Sequence, residues 1–299
     1  MNTKVALLVV YNHRYDKNIP IVEALYKNKF SHVYHLVPFY DGDKENVIPV
    51  FDNSFFFHNY IAQAYQHIKT LGFTHFFVVA DDMVLNPIIN ENNLWDKLGI
   101  NVSDCYIPKL NPLQEGTDFW PWITNALKYK TSQPGVEIQK ILPSKEEALE
   151  RFSFYNLPTG RIPLRRVLTK DRDLLYNRVI KQLPFSLTLD YPLVTAYSDI
   201  FLITGGNMQR FFQILGAFAA TRLFVELAIP TALVLTVDNL KTDKDVKLKK
   251  GDVWFWKINL FGQQYEFNLS SLIEHFPSDK FYVHPVKMSK WDTSGLFNK

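Results

Sequence analysis

One cysteine, Cys105, stands in 299 residues, so no disulfide closes within the chain, and the composition suits a reducing compartment. Neither sign of charge dominates: 33 Lys and Arg against 30 Asp and Glu leave a net charge of +3. A chain so balanced carries no global signal for a polyanion such as nucleic acid, and any basic site has to be local. Internal repeats and low-complexity tracts are absent from the sequence. Its most hydrophobic later segment, 211–237, is interrupted by Arg222, Glu226 and Pro230. Charges at mid-span are costly in lipid, so the segment reads as two buried helices, not a membrane span. The early apolar run 5–10 follows a single lysine, lacks a small-residue cleavage site and leads straight into Tyr11-Asn12-His13-Arg14. It reads as a first core strand, not a signal segment.

What the chain does hold is apolar mass: 47% hydrophobic and 15% aromatic residues describe a folded protein with a large core. After the first strand, a helix is expected from Pro20 to Phe30 and a second strand over 32–37, stopped by Pro38. Phe57, Ile61, Ala64, Tyr65 and Ile68 recur at helical spacing, and Phe76 to Val79 then form an apolar run of strand length. Strand, helix, strand, helix, strand predicts a mostly parallel, doubly wound sheet flanked by helices. Residues 111–163 form a loop-rich insertion containing Trp120-Pro121-Trp122, with one helix begun by the capping signal Ser144-Lys145-Glu146-Glu147. Further on, 194–203 reads as a strand and Thr204-Gly205-Gly206-Asn207 as a tight turn into a helix. A small β-hairpin is expected from 253–260 and 264–267, turned at Phe261-Gly262.

The candidate chemistry centres on Asp81 and Asp82, adjacent carboxylates at the end of the Phe76–Val79 strand. In an open α/β sheet the crevice beyond the carboxyl ends of the strands is where ligands bind. A pair of carboxylates there suits a hard cation such as Mg²⁺ or Mn²⁺ shared with substrate phosphates; the alternative is a solvated Asp-Asp turn. Glu226 sits among Leu223, Phe224, Val225, Leu227 and Ala228, so it needs a partner or a function, and Arg222, one helical turn earlier, is the structural partner to weigh. Arg161, Arg165, Arg166, Lys170, Arg172 and Arg178 form a dense basic segment, read either as an ion-paired helix face or as a peripheral contact for phosphate or anionic lipid.

Together these pieces resemble the GT-A type glycosyltransferases, metal-dependent enzymes that use nucleotide sugars. Val9-Val10-Tyr11-Asn12 is similar to the family's first strand, whose end lines the nucleotide, with Arg14 in the turn that follows. Ala80-Asp81-Asp82 occupies the place of the family's Asp-X-Asp motif, with Ala80 at its first Asp and Asp82 at the metal-binding second. Thr204-Gly205-Gly206 is similar to the family's glycine loop, Glu226 lies where an acceptor-side carboxylate is expected, and His284-Pro285-Val286-Lys287 looks like the C-terminal metal histidine with its phosphate-binding lysine.

The resemblance implies a single GT-A domain over 1–299, with a nucleotide-sugar half in 1–110 and an acceptor half, closed by the C-terminal segment, in 111–299. It implies Mn²⁺ or Mg²⁺ held by Asp82 and His284, and donor binding by Val10, Tyr11, Asn12, Arg14, Asp81, Gly205, Gly206 and Lys287. Asp82 and Glu226 are the implied catalytic residues. The expected reaction moves a sugar from a nucleotide-sugar donor to a glycan or lipid-linked acceptor, as in surface polysaccharide synthesis, in the cytoplasm or at the inner face of its membrane. A non-catalytic carbohydrate-binding module is the alternative. A sugar nucleotidyltransferase fits less well, because the turn after the first strand has no glycine to cradle a triphosphate.

Overall fold

A computed structural model of the chain describes residues 3–115, 120–137, 140–163, 166–167, 187–253 and 255–297. Its centre is a seven-stranded sheet. Strand β1 (Val5–Val10) pairs in parallel with β2 (His32–Pro38), which carries β3 (Val47–Val50) in parallel on its outer side. Helix α1 (Ile19–Tyr26) makes the first crossover and α2 (Phe57–Ile68) leads back to β4 (His75–Ala80), parallel to β1 on its other side. Beyond a short β5 (Val84–Leu85) come helix α3 (Leu94–Leu98), stopped by Gly99 in the left-handed region at φ 73°, and strand β6 (Cys105–Tyr106).

The second half is more irregular. Strand β7 (Asn111–Pro112), helix α4 (Ile123–Lys128) and helix α5 (Lys145–Phe154) come first; α5 is opened by the expected capping box between Ser144 and Glu147. Strand β8 (Val194–Thr195) pairs with β7, and β9 (Ile200–Thr204) enters the main sheet between β4 and β6, antiparallel to both. Helices α6 (Gly205–Ala220) and α7 (Val225–Thr236) then lead to β10 (Leu240–Lys241), parallel to β6 at the sheet's edge. The result is an α/β fold, compatible with a Rossmann-like sheet, in which β9 alone runs against the other strands. Among the described residues no helix is long and apolar enough to cross a membrane; 211–237 is divided between α6 and α7.

Period-two alternation puts both faces of β1 in apolar company. Ala6, Leu8 and Val10 join a core built on α2, α6 and α7, while Val5, Leu7 and Val9 join another containing α1, α3 and the C-terminal residues Phe281 to Trp291.

The expected C-terminal hairpin is not formed. The segment is helical instead: α8 (Ile258–Gln264) runs through the supposed turn and is followed by α9 (Leu269–Glu274). Phe261 and Tyr265, four residues apart, both meet Trp291 (ring centroids 6.1 and 6.4 Å), so the helical period buries more here than strand alternation would. Gly262 serves close packing and not a turn, because a Cβ there would stand 2.2 Å from the Phe267 ring. What pairs at this end of the chain is β11 (Tyr282–Val283), antiparallel to β5.

Candidate functional site

Strand direction gathers the carboxylates. Because Val10 is level with Ala80 in a parallel pair, residues 11–12 and 81–82 leave the sheet side by side, and the Asp81 N–H donates to the Val10 carbonyl at 2.9 Å. Strand β9 runs the other way, so its beginning, not its end, lies at this edge. Ile200 is level with Val79, and the Asp199 carbonyl accepts the Ala80 N–H at 2.9 Å. Glu226 is brought in by a proline. Pro230, inside α7, has no N–H to give the carbonyl four residues back, and the freed Glu226 carbonyl accepts the Ala196 N–H at 3.0 Å instead. The first turn of α7 is thereby tied to the 196–199 loop that carries Asp199.

The C-terminal segment completes the group. β11 lies along β5, and the Val286 N–H donates to the Asp82 carbonyl at 2.7 Å. His284 Nε2 then stands 2.8 Å from Asp82 Oδ1, and Lys287 Nζ donates to Asp82 Oδ2. The other ring nitrogen of His284, Nδ1, is hydrogen-bonded to the Tyr197 hydroxyl. Burial holds that hydroxyl protonated well above its ordinary range, and Tyr197 also hydrogen-bonds Asp199. Burial lowers the His284 pKa, but Asp82 outweighs burial and raises it overall, so the ring favours its protonated form beside the Asp82 anion.

Electrostatics divide the two adjacent aspartates. Burial, then the neighbouring Asp82, push Asp81 up to about 7, against hydrogen bonds from the Asn18 amide and the Asn12 backbone. Burial also raises Asp82, but His284 and Lys287 outweigh it and hold Asp82 down at about 2. One carboxylate is thus a permanent anion and its neighbour carries a proton near neutrality, the division expected when like charges meet in a desolvated place. Glu226, partly buried, is pushed up to about 7 by burial and then by Asp199. Asp199 is itself raised by burial.

Asp82 Oδ1 and His284 Nε2 are buried and face each other as an ion pair that lies out of hydrogen-bond alignment. A carboxylate oxygen beside an imidazole nitrogen can serve a small divalent ion once the imidazole gives up its proton, so the residues fit Mn²⁺ or Mg²⁺. Among the described residues no group of three or more His, Cys, Asp or Glu side chains is arranged to hold an ion. The protein would therefore supply two ligands, with phosphate and water as the others. A cavity of about 180 Å³ opens here, lined by Asn12, Asn18, Asp81, Asp82, Lys287 and Ser289 among others. That volume takes one end of a nucleotide-sized ligand, the remainder lying along the open edge. A wider cavity of about 640 Å³, between α1 and Ser270, Ile273 and Phe297, contains none of these groups.

Asp81, Asp82, Glu226, His284, Lys287 and Asn12 therefore meet at one sheet edge. Other expected residues do not join them. Gly205 and Gly206 lie at the opposite edge, since Thr204, at the end of the reversed strand, is level with His75 at the beginning of β4. Gly205 there meets backbone: a Cβ would stand 2.5 Å from the Phe73 carbonyl oxygen. The ring of Tyr11 is buried, with its hydroxyl 2.9 Å from His35 Nδ1, and Val10 is a core residue, so neither lines the cavity beside the aspartates. Arg14 is held at the surface by Asp16 and Asp41. Arg222 does not pair with Glu226: it lies between α6 and α7 at φ 56°, bound to Asp52 at 3.2 Å. Of the basic segment, Arg165, Lys170, Arg172 and Arg178 fall outside the described residues. Asp199, Tyr197 and Asn18 were not expected. Only Asp199 left a trace in the sequence, as a lone carboxylate at the head of Ile200-Phe201-Leu202-Ile203. No protein-family model matches the chain, and a comparison with curated proteins finds no significant match.

Proposed function

We propose that the chain is a nucleotide-sugar-dependent glycosyltransferase of GT-A type. The observation that carries the reading is the convergence at one sheet edge of Asp82 with His284 and Lys287, of Asp81 beside Asn12 and Asn18, and of Glu226 beside Asp199. The first group binds a diphosphate. Lys287 is a mobile donor of positive charge that transfers from Asp82 to phosphate oxygens, and Asp82 with His284 would hold Mn²⁺ or Mg²⁺. A divalent ion, when bound, supplies further positive charge to the leaving diphosphate. Asp81, protonated near neutrality, donates a hydrogen bond to a donor hydroxyl as well as accepting one.

Glu226 is the acceptor-side carboxylate. No side chain among the described residues is paired with it, and its pKa of about 7 suits the removal of a proton from an acceptor hydroxyl near neutral pH. The reading is tested by thermal shift with UDP, GDP, CMP and dTDP, each with and without Mn²⁺. A nucleotide at about 100 times its dissociation constant stabilises the protein by roughly 2.7 kcal/mol. If no nucleotide stabilises it and no donor sugar is transferred or hydrolysed, the reading fails.

A further inference from the structure

Next to the carboxylates the same edge carries an aromatic wall. Phe55, in the turn before α2, is 52% exposed. Its ring meets Trp122 at 5.1 Å and Phe224 at 6.2 Å, and Trp122 stacks on Phe224 at 4.1 Å with only 14° between the planes. Loops far apart in sequence are held together for this, and Asn125 Oδ1 accepts the Phe224 N–H at 3.0 Å. The wall stands beside the chemistry: Phe224 is the N-cap of α7, two residues before Glu226. Phe57, two residues after Phe55, is buried close to Asn12, Ser198 and Asp199. The wall's rim is polar, with Arg222 lying over the Phe56 ring at 3.7 Å and bound to Asp52.

We infer that Phe55 and Trp122, with the buried Phe224 ring supporting them from behind, form the acceptor subsite, and that the acceptor presents a pyranose ring to it; the inference rests on the glycosyl-transfer reading above. A pyranose has an apolar C–H face and a rim of hydroxyls. Flat aromatic surface bordered by Asp52, Arg222 and Glu226 matches both, because the face stacks while the rim is hydrogen-bonded. A bilayer or an anionic lipid headgroup matches worse, since carboxylates border the wall.

The test is saturation-transfer NMR with irradiation of the protein's aromatic protons. The probes are methyl β-glucopyranoside, methyl β-galactopyranoside and N-acetylglucosamine, offered to the wild type, Phe55→Ala and Trp122→Ala. At least one probe should receive saturation on the protons of one ring face, and each variant should bind it about 3- to 10-fold more weakly. Phe55 is exposed enough that its variant folds even where Trp122→Ala does not. Nucleotide thermal shift, run in parallel, separates the two readings. If the wild type gains nothing from any nucleotide while Phe55-dependent sugar contact persists, glycosyl transfer fails and the carbohydrate subsite stands. Absence of saturation transfer to every probe overturns the subsite, as does transfer unchanged in both variants. Phe55-dependent co-sedimentation with phosphatidylglycerol vesicles, without sugar contact, also overturns it and identifies a lipid surface.

Discussion

Glu226→Gln separates a desolvated, working carboxylate from an ordinary solvated one, because only the first ties stability to pH and also loses rate. Glu226 is pushed from its ordinary 4.5 to about 7 by burial and by Asp199. Its folded-state pKa lies above its unfolded value, so between pH 4.5 and 7 the folded protein keeps a proton that the unfolded chain has released. Stability from this group is therefore complete below pH 4.5 and is lost as pH rises to 7. At about 1.4 kcal/mol per pH unit the full loss is about 3 kcal/mol, and nearer 2 kcal/mol once solvent screening of a partly exposed group is allowed. Glutamine keeps the shape and cannot ionise, so the variant escapes this loss. Relative to the wild type it should gain about 2 kcal/mol between pH 4.5 and pH 8, or about 3 °C in melting temperature for a chain of this size. Asp81 titrates in the same range in both proteins and cancels in the comparison. Urea unfolding at the two pH values measures the stability difference. Transfer by the variant should meanwhile fall about 10²- to 10⁴-fold with donor affinity unchanged. A variant whose stability relative to the wild type is the same at both pH values, and whose rate drops less than a few-fold, would refute the reasoning: Glu226 would then be an ordinary solvated residue.

Other perturbations test other parts of the site. Asp82→Ala should abolish transfer while far-UV circular dichroism stays native, since the group stands at a strand end; full activity in this variant removes Asp82 from the chemistry. His284→Ala should weaken Mn²⁺-dependent nucleotide binding about 10- to 100-fold in calorimetry, the usual effect of losing a metal ligand or its orienting neighbour; unchanged binding with and without Mn²⁺ would make the histidine structural. Gly205→Ala should destabilise by about 1 to 3 kcal/mol, because its new methyl meets the Phe73 carbonyl, and should leave nucleotide affinity untouched. Loss of nucleotide affinity in a folded Gly205→Ala protein would contradict the placement of this residue at the far edge.

The parts of the site legible in the sequence are those that depend only on local pattern and on the parallel order of β1, β2 and β4. An apolar run ending in Asp81-Asp82 has to deliver both carboxylates to the edge where its parallel neighbours also end. His284 and Lys287 were legible by resemblance alone, since nothing local says that a segment some two hundred residues later folds back along β5. Glu226 was found by its apolar neighbours, but its supposed pairing with Arg222 assumed one continuous helix. The break at residues 221–224, with Arg222 at positive φ, turns that arginine away to Asp52. The misplacement of Gly205-Gly206 and the oversight of Asp199 share one cause. Residues 200–204 read equally well as a strand in either direction, since alternation and β-propensity carry no polarity. Had β9 run parallel to β4, its end would have brought the glycines to the site and left Asp199 at the far edge. Running antiparallel it does the reverse: the glycine pair goes to the far edge, where Gly205 packs on the Phe73 carbonyl, and a carboxylate that would have headed a buried strand faces Tyr197, His284 and Glu226. One reversed strand therefore decides which residues belong to the site, and that direction is fixed by pairing across the sheet and not by any window of the sequence.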